Sequence, residues 1–106
     1  MEAALKALAE PNRRRILTLV KGGELTAGEI ASHFEVSRPA VSQHLTVLKE
    51  AGLVHERRNG TRRLYSVRPE GLADVKAFLD GFWDEKLEAL RREAGREERR
   101  KRGKHD

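Results

Sequence analysis

The sequence predicts a mainly α-helical winged helix-turn-helix fold with one small β-hairpin: four helices, two strands and a fifth helix. Two observations predict it. Residues 25–54 hold two short helical patterns separated by a tight break at residues 35–36. A basic hairpin pattern follows, with the turn dipeptide Asn59-Gly60 at its centre. A helix-turn-helix followed by a basic hairpin is an arrangement that lays one helix in a DNA groove.

Length and composition limit the remaining possibilities. The 106 residues suit one domain with a modest core, which we expect at residues 1–93, with residues 94–106 as a basic, disordered tail. The sequence has no run of about 18 apolar residues and no signal-peptide pattern, so we expect no membrane partner and a cytoplasmic location. The absence of cysteine excludes disulfides and thiolate metal ligands.

The positive charge is concentrated in the hairpin. The net charge is +5, and residues 55–68 hold five arginines against one glutamate. Residues 69–93 carry more acidic than basic side chains. Arginines gathered in a β-turn indicate contact with a polyanion, although a merely solvated turn is the alternative.

Capping residues set the expected helix limits. Thr26 followed three residues later by Glu29 is a capping box that opens the third helix, which we expect to end at residues 34–35. Ser37 is placed to cap the fourth helix, and Gly52 to end it. The fourth helix is the second helix of the predicted helix-turn-helix, which is the recognition helix of that motif.

The fourth helix divides into an apolar and a polar face. Val41, Leu45 and Leu48 fall on one side at 100° per residue. The opposite face is predicted to contact DNA and carries Ser37, Arg38, Pro39, Ser42, Gln43 and Thr46. Gln43 has the shape to bond an adenine, and Arg38 a guanine or a phosphate. The alternative, a solvated face, would favour Glu/Lys pairs in their place.

The hairpin is predicted to contact DNA as a wing. A type I′ turn at Asn59-Gly60 would place Glu56 opposite Arg63 and Arg57 opposite Arg62. The second pair is unfavourable unless a phosphate neutralises it. The predicted wing contacts are Arg57, Arg58, Asn59, Gly60, Thr61, Arg62 and Arg63.

The last helix, from Glu70 to Leu90, has an apolar surface too wide for one small core. Its apolar residues span about 180° of the helix, beyond the roughly 100° stripe that packs on one domain. We therefore expect half of this surface to meet a second copy of the chain, together with the first helix. The alternative is one helix lying deep in its own core. The predicted dimer contacts are Leu5, Leu8, Phe78, Phe82, Trp83, Leu87 and Leu90.

These segments together resemble the ArsR-type (ArsR/SmtB) winged helix-turn-helix repressors. The matching segments are residues 10–17, 24–34, 37–48, 51–54 and 57–65. Phe82-Trp83 in the last helix is similar to the metal-independent branch, some of whose members repress their own operons. The resemblance implies a homodimer, assembled through the first and last helices, that represses transcription at an inverted-repeat operator.

The metal sites of this family are not expected here. Where arsenic-responsive members have two cysteines, this chain has Thr26 and Gly28. The Asp-x-His pattern of zinc-sensing members is also missing, since Asp74 is followed by Val75-Lys76. We therefore expect no metal and no cofactor, and the inducing signal is unknown.

The alternatives to a DNA-binding regulator are an enzyme, a sensor and a protein-interaction module. No nucleophile–base pair, carboxylate dyad or phosphate-binding glycine loop stands out, so we expect no catalytic residues and no enzyme activity. A sensor with oxygen and nitrogen ligands is an alternative, because Asp80, Asp84, Glu85 and Glu88 gather on the last helix. A winged-helix module for protein interaction is another. The favoured function is a sequence-specific, homodimeric repressor with helix 37–51 in the major groove and wing 55–67 on the backbone or in the minor groove.

Overall fold

The computed structural model describes the backbone of residues 1–105 and their side chains except those of Asp84 and residues 96–105. It confirms the mainly helical winged helix-turn-helix fold. The elements are α1 (Glu2–Leu8), α2 (Pro11–Val20), β1 (Leu25–Thr26), α3 (Ala27–Ala31), α4 (Arg38–Glu50), β2 (Val54–Asn59), β3 (Arg62–Val67) and α5 (Pro69–His105).

Side-chain caps begin α3 and α4. Thr26 and Glu29 form the predicted capping box, with both hydrogen bonds at 3.1 Å. The Ser37 hydroxyl accepts from the Ala40 amide at 3.3 Å and caps α4 as predicted. Both caps satisfy amides that have no partner within their own helix.

Helix α3 ends at Ala31, so the expected end at residues 34–35 is wrong. The amides of His33 and Phe34 bond carbonyl oxygens three residues back, at 3.1 Å each. This tighter spacing turns the chain out of the α-helix. The Phe34 ring then lies 4.7 Å from the guanidinium carbon of Arg15, in a cation–π contact that holds the turn against α2.

The sheet has three strands rather than the two of the predicted hairpin. Strand β1 pairs with β3, Leu25 lying opposite Tyr65, and the strand order is β1-β3-β2. All pairs are antiparallel. Two residues are too few for an alternating pattern to show in the sequence, which is why β1 was missed.

The wing turn lies one residue later than predicted. Asn59 pairs with Arg62 and Arg58 with Arg63, which leaves Gly60-Thr61 as the two-residue turn. Gly60 has φ +65°, whereas no residue other than glycine has a positive φ in the part of the chain described. Glycine at the first turn position alone is typical of type II′, so the type I′ prediction at Asn59-Gly60 is wrong.

The shifted turn also corrects the predicted cross-strand pairs. Arg57 lies opposite Leu64, and Glu56 opposite Tyr65. The predicted ion pair between Glu56 and Arg63 still forms, diagonally across the strands, at 3.5 Å.

The core of residues 1–75 joins α4 to the sheet and to the first three helices. Val41, Leu45 and Leu48 are buried, which confirms the predicted apolar face of α4. Arg13 Nε and an Arg14 terminal nitrogen each donate to a carbonyl oxygen at the end of α1, at 2.7 Å. These bonds satisfy helix-end carbonyls and fasten α1 to α2.

Residues from Lys76 onward form a second compact unit, made of the rest of α5. The helix continues to His105, through a segment whose composition predicts disorder. Arg, Lys, Glu and Ala are strong helix formers, which accounts for the difference. No helix among the described residues is long and apolar enough to cross a membrane.

Candidate nucleic-acid interface

The predicted recognition surface is the exposed polar face of α4. Its six predicted residues, Ser37, Arg38, Pro39, Ser42, Gln43 and Thr46, are all exposed. The Thr46 hydroxyl donates to the Ser42 carbonyl at 3.0 Å, which leaves its oxygen free to accept. Because the opposite face is buried in the core, this surface is held in one orientation by packing.

The seven predicted wing residues, Arg57, Arg58, Asn59, Gly60, Thr61, Arg62 and Arg63, are likewise exposed. They extend from the end of β2 through the turn into β3. Arg58 and Arg63 lie directly opposite each other, so two like charges share this part of the hairpin. Such a pair disfavours the free hairpin and attracts an anion.

Helix α4 and the wing border one open groove with a volume of about 430 Å³. It is lined by Thr26, Ala27, Gly28, Arg38, Ser42, Thr61, Arg62, Arg63 and Tyr65. Three guanidinium groups and four hydroxyl-bearing side chains therefore surround a single space. Both types of side chain bind phosphate oxygens. The two predicted contact surfaces thus meet in one basic groove, to which α4 contributes Arg38 and Ser42 and the wing contributes Thr61, Arg62 and Arg63.

The groove contains the positions at which the resemblance placed metal-binding cysteines. Thr26 instead caps α3 through its hydroxyl. A Cβ added at Gly28 would lie 3.7 Å from a terminal nitrogen of Arg38, in ordinary contact. In this chain, residues at these positions support and line the basic groove.

One wing arginine is held by a carboxylate that the sequence did not reveal. Arg57 donates to Glu24 through Nε and a terminal nitrogen, both at 2.9 Å. Glu24 precedes β1 while Arg57 lies on β2, so their side chains reach each other across the central strand β3. The hydrogen bond from Arg57 lowers the pKa of Glu24, and the same bond raises the pKa of Arg57.

A second wing arginine, Arg62, lies 3.3 Å from a carboxylate oxygen of Glu29. The backbone amide of Thr26 is the largest cause of the lowered pKa of Glu29, followed by the Thr26 hydroxyl. Glu29 is therefore fixed by its own helix and holds a negative charge beside the wing.

Glu56 adds a further carboxylate, which bonds Lys49 of α4 at 3.0 Å and meets Arg63 at 3.5 Å. Among the described side chains, Arg38 and Arg58 have no carboxylate partner. The basic side chains of the interface thus form two groups, one neutralised by carboxylates and one not.

A separate surface lies on α5 beyond Lys76. Its large apolar side chains are between 40% and 64% exposed. The rings of two of them, Phe78 and Phe82, form a T-shaped pair with their centroids 5.1 Å apart. We call this the α5 apolar face: Phe78, Leu79, Phe82, Trp83, Leu87 and Leu90. Of the other predicted dimer contacts, Leu5 and Leu8 are partly buried against the core of the first unit.

No group of three or more His, Asp or Glu side chains that could hold a metal ion occurs among the described residues. Of the acidic residues weighed for a sensor, Asp80 bonds Lys76 at 2.7 Å, and the side chain of Asp84 lies outside the described set. His44 lies 3.9 Å from the Glu10 carboxylate, on the inner side of α4.

A three-stranded sheet with a basic wing, set beside an exposed polar helix, defines a winged helix-turn-helix DNA-binding domain. The model of the arsR family of bacterial regulatory proteins matches residues 10–56. The chain belongs to this family.

Similar proteins support the assignment along most of the chain. It is 50% identical over 86 residues to the HTH-type transcriptional regulator Rv2034 of Mycobacterium tuberculosis, covering 81% of this chain and 80% of the relative. It is 45% identical over 82 residues to the transcriptional repressor SdpR of Bacillus subtilis, covering 77% and 91%. A solution structure from Mycobacterium bovis, described as a homodimeric winged helix-turn-helix DNA-binding domain, is 36% identical, with a TM-score of 0.64 and coverage of 81% and 80%.

Proposed function

We propose that the protein is a homodimeric transcriptional repressor that binds an inverted-repeat DNA operator. One observation carries this proposal: Arg38 and Ser42 on the polar face of α4 line the same basic groove as the wing arginines Arg62 and Arg63. A duplex needs this combination, because hydrogen-bonding side chains read bases while arginines hold the backbone.

Helix 37–51 enters the major groove in this proposal. Gln43 bonds an adenine, Arg38 bonds a guanine or a phosphate, and the Ser42 and Thr46 hydroxyls bond bases or phosphates nearby. The wing, residues 55–67, lies on the flanking backbone or in the minor groove. Affinity comes largely from arginine–phosphate contacts, and sequence preference from α4.

The α5 apolar face supplies the dimer interface. Exposed apolar surface of this kind is stabilised by burial against a partner. The homodimeric relative from Mycobacterium bovis supports a second copy as that partner. Two recognition helices related by a two-fold axis contact half-sites one helical turn apart, roughly 34–36 Å.

Repression is supported by the Bacillus subtilis relative, which is named a repressor. We place the protein in the cytoplasm with its DNA and assign it no enzyme activity. No specific observation favours a metal sensor or a protein-interaction module over this function.

The experiment selects genomic fragments with the purified full-length chain and measures their binding by fluorescence anisotropy. Thr46→Ala and Thr18→Ala form a matched pair, because each threonine is exposed and donates its hydroxyl proton to the carbonyl four residues back, at 3.0 and 3.1 Å. We expect Thr46→Ala on α4 to weaken the selected operator several-fold, whereas Thr18→Ala on α2 has no effect. A chain that selects no fragment, or equal effects of the two substitutions, would contradict the proposal.

A further inference from the structure

We propose that Glu24 and Glu29 compete with DNA phosphates for the wing arginines and thereby limit the affinity of the protein for DNA of any sequence. This inference rests on the proposed function, since it requires the wing to contact DNA. It assigns these two glutamates a role opposite to that of the basic residues around them.

The contact between Glu24 and Arg57 uses the same donors that a phosphate would use. The Nε and terminal-nitrogen bonds, both 2.9 Å, form the two-pronged arrangement in which arginine also binds phosphate oxygens. A phosphate that takes this position must displace the carboxylate or approach it closely. Either course reduces the gain from the arginine–phosphate contact.

Exchange of partners at this position requires no movement of the core. The side chains of Arg57 and Glu24 are 49% and 37% exposed, so both can be reached from solvent. Exposed ion pairs of this kind contribute little to folding stability. A pair that adds little to stability but occupies a phosphate-binding arginine acts mainly on DNA affinity.

Glu29 brings the same effect from a position that the capping box holds. Its carboxylate bonds the Thr26 amide at 3.1 Å within the capping box, and the same oxygen, Oε1, lies 3.3 Å from Arg62. Even when Arg62 turns to a phosphate, the charge of Glu29 stays beside the groove. Glu24 therefore acts by binding an arginine. Glu29 also binds an arginine, and in addition its own negative charge repels phosphates near the groove.

Two other roles for Glu24 predict different results. If Glu24 positions Arg57 for DNA, removing its charge weakens binding. If the pair only fastens β1 to the wing, removing the charge lowers stability and leaves affinity unchanged. The sign of the change in affinity therefore separates the three roles.

The test uses the full-length chain and a labelled random-sequence duplex of about three helical turns. Anisotropy titrations over a series of salt concentrations give the affinity and its salt dependence. We expect Glu24→Gln to raise the affinity about threefold to tenfold and to steepen the slope of log K against log salt by up to about 0.9 per protomer. Glu2→Gln removes the same charge from α1, distant in sequence from the wing, and is expected to change the affinity less than twofold.

A second background separates a direct effect on Arg57 from a general effect of charge. In Arg57→Gln, the Glu24→Gln substitution is expected to give little or no further gain. An equal gain in both backgrounds, or a loss or absence of change on the wild-type background, would overturn the inference for Glu24.

Glu29→Gln provides an independent measurement, because glutamine keeps an oxygen that accepts the Thr26 amide and so preserves the cap. We expect it to raise the affinity as well, and it serves as the test if Glu24→Gln proves unfolded by circular dichroism. Unchanged or weakened binding by folded Glu29→Gln would overturn the inference for Glu29. A wild-type chain that binds no duplex contradicts the proposed function, whereas a binding wild type with weaker glutamine variants contradicts this inference alone.

Discussion

The first turn of α5 lies directly against the end of α4, with Gly71 in contact with the backbone of Gly52. A Cβ placed at Gly71 would overlap the Gly52 carbonyl oxygen and lie 2.7 Å from the carbonyl carbon. Gly52 itself has φ +76°, a left-handed conformation that glycine adopts without strain. Gly71 therefore supplies space and Gly52 supplies the conformation that let the first turn of α5 pack against the end of α4.

Gly71→Ala is expected to destabilise the protein by about 1–3 kcal/mol, because the added methyl group must displace the Gly52 backbone carbonyl. Gly81→Ala is the control. It lies in the same helix, and no atom falls within 4 Å of a Cβ built there. We expect the control to stabilise by about 0.5–1 kcal/mol through its effect on helix propensity. Urea unfolding followed by circular dichroism measures both, and equal stability of the two variants would contradict the packing described.

Local sequence rules predicted the caps and helix α4 well. The capping box of Thr26 and Glu29 and the cap at Ser37 depend on contacts within three residues, which a sequence pattern contains. The buried face of α4 follows from helical periodicity alone.

The sequence alone did not identify which two residues form the wing turn. Gly60 lies between Asn59 and Thr61, so it can be either the second residue of an Asn59-Gly60 turn or the first residue of a Gly60-Thr61 turn. The strand pairing selects the Gly60-Thr61 turn. The contact between Glu24 and Arg57 was hidden for a related reason. These residues are 33 positions apart, and they meet only because the two-residue strand β1 joins the sheet.

Arg58 and Gln43 are expected to affect DNA binding in different ways. Arg58 has no carboxylate partner among the described residues, so Arg58→Ala removes an arginine that is free to bind phosphate. We expect weaker binding to all sequences and a salt slope flatter by up to about 0.9 per protomer. Gln43→Ala is expected to cost about 1–3 kcal/mol on the operator and to relax the preference at one base position per half-site.

The measurement for this pair is binding of each variant to the selected operator, its single-base variants and a random duplex over a series of salt concentrations. Thermal unfolding checks that both variants remain folded. Removing Arg58 also relieves its repulsion with Arg63 on the opposite strand, so we expect no loss of stability. If Arg58→Ala altered the preferred sequence while Gln43→Ala did not, the roles assigned to helix and wing would be wrong.

Phe82→Glu is expected to convert the dimer to monomers. The Phe82 side chain is 57% exposed and stacks on Phe78 at the centre of the α5 apolar face, where a carboxylate cannot be buried without a partner. Ala77→Glu adds the same charge on the opposite side of the helix, given 100° per residue, and is expected to remain dimeric. Sedimentation velocity at micromolar concentration distinguishes the two states. A dimeric Phe82→Glu variant would place the subunit interface elsewhere.

Stability is expected to fall in acid partly through Glu29. Its pKa is lowered from 4.5 in the folded state, first by the hydrogen bond from the Thr26 amide and then by the Thr26 hydroxyl. The folded protein therefore binds this proton less readily than the unfolded chain does. The stabilising contribution is complete above about pH 4.5 and is lost as the pH falls through the lower, folded-state pKa.

Glu29→Gln removes this titration while keeping an acceptor for the cap, so its stability is expected to decline less than that of the wild type between about pH 6 and pH 3. Glu35→Gln is the matched control: Glu35 is exposed and takes no part in the capping box, so its replacement keeps the contribution of Glu29. Urea midpoints measured across this range provide the comparison. A wild type and Glu29→Gln variant that lose stability in parallel would show that the capping carboxylate has the same proton affinity in the folded and unfolded chains.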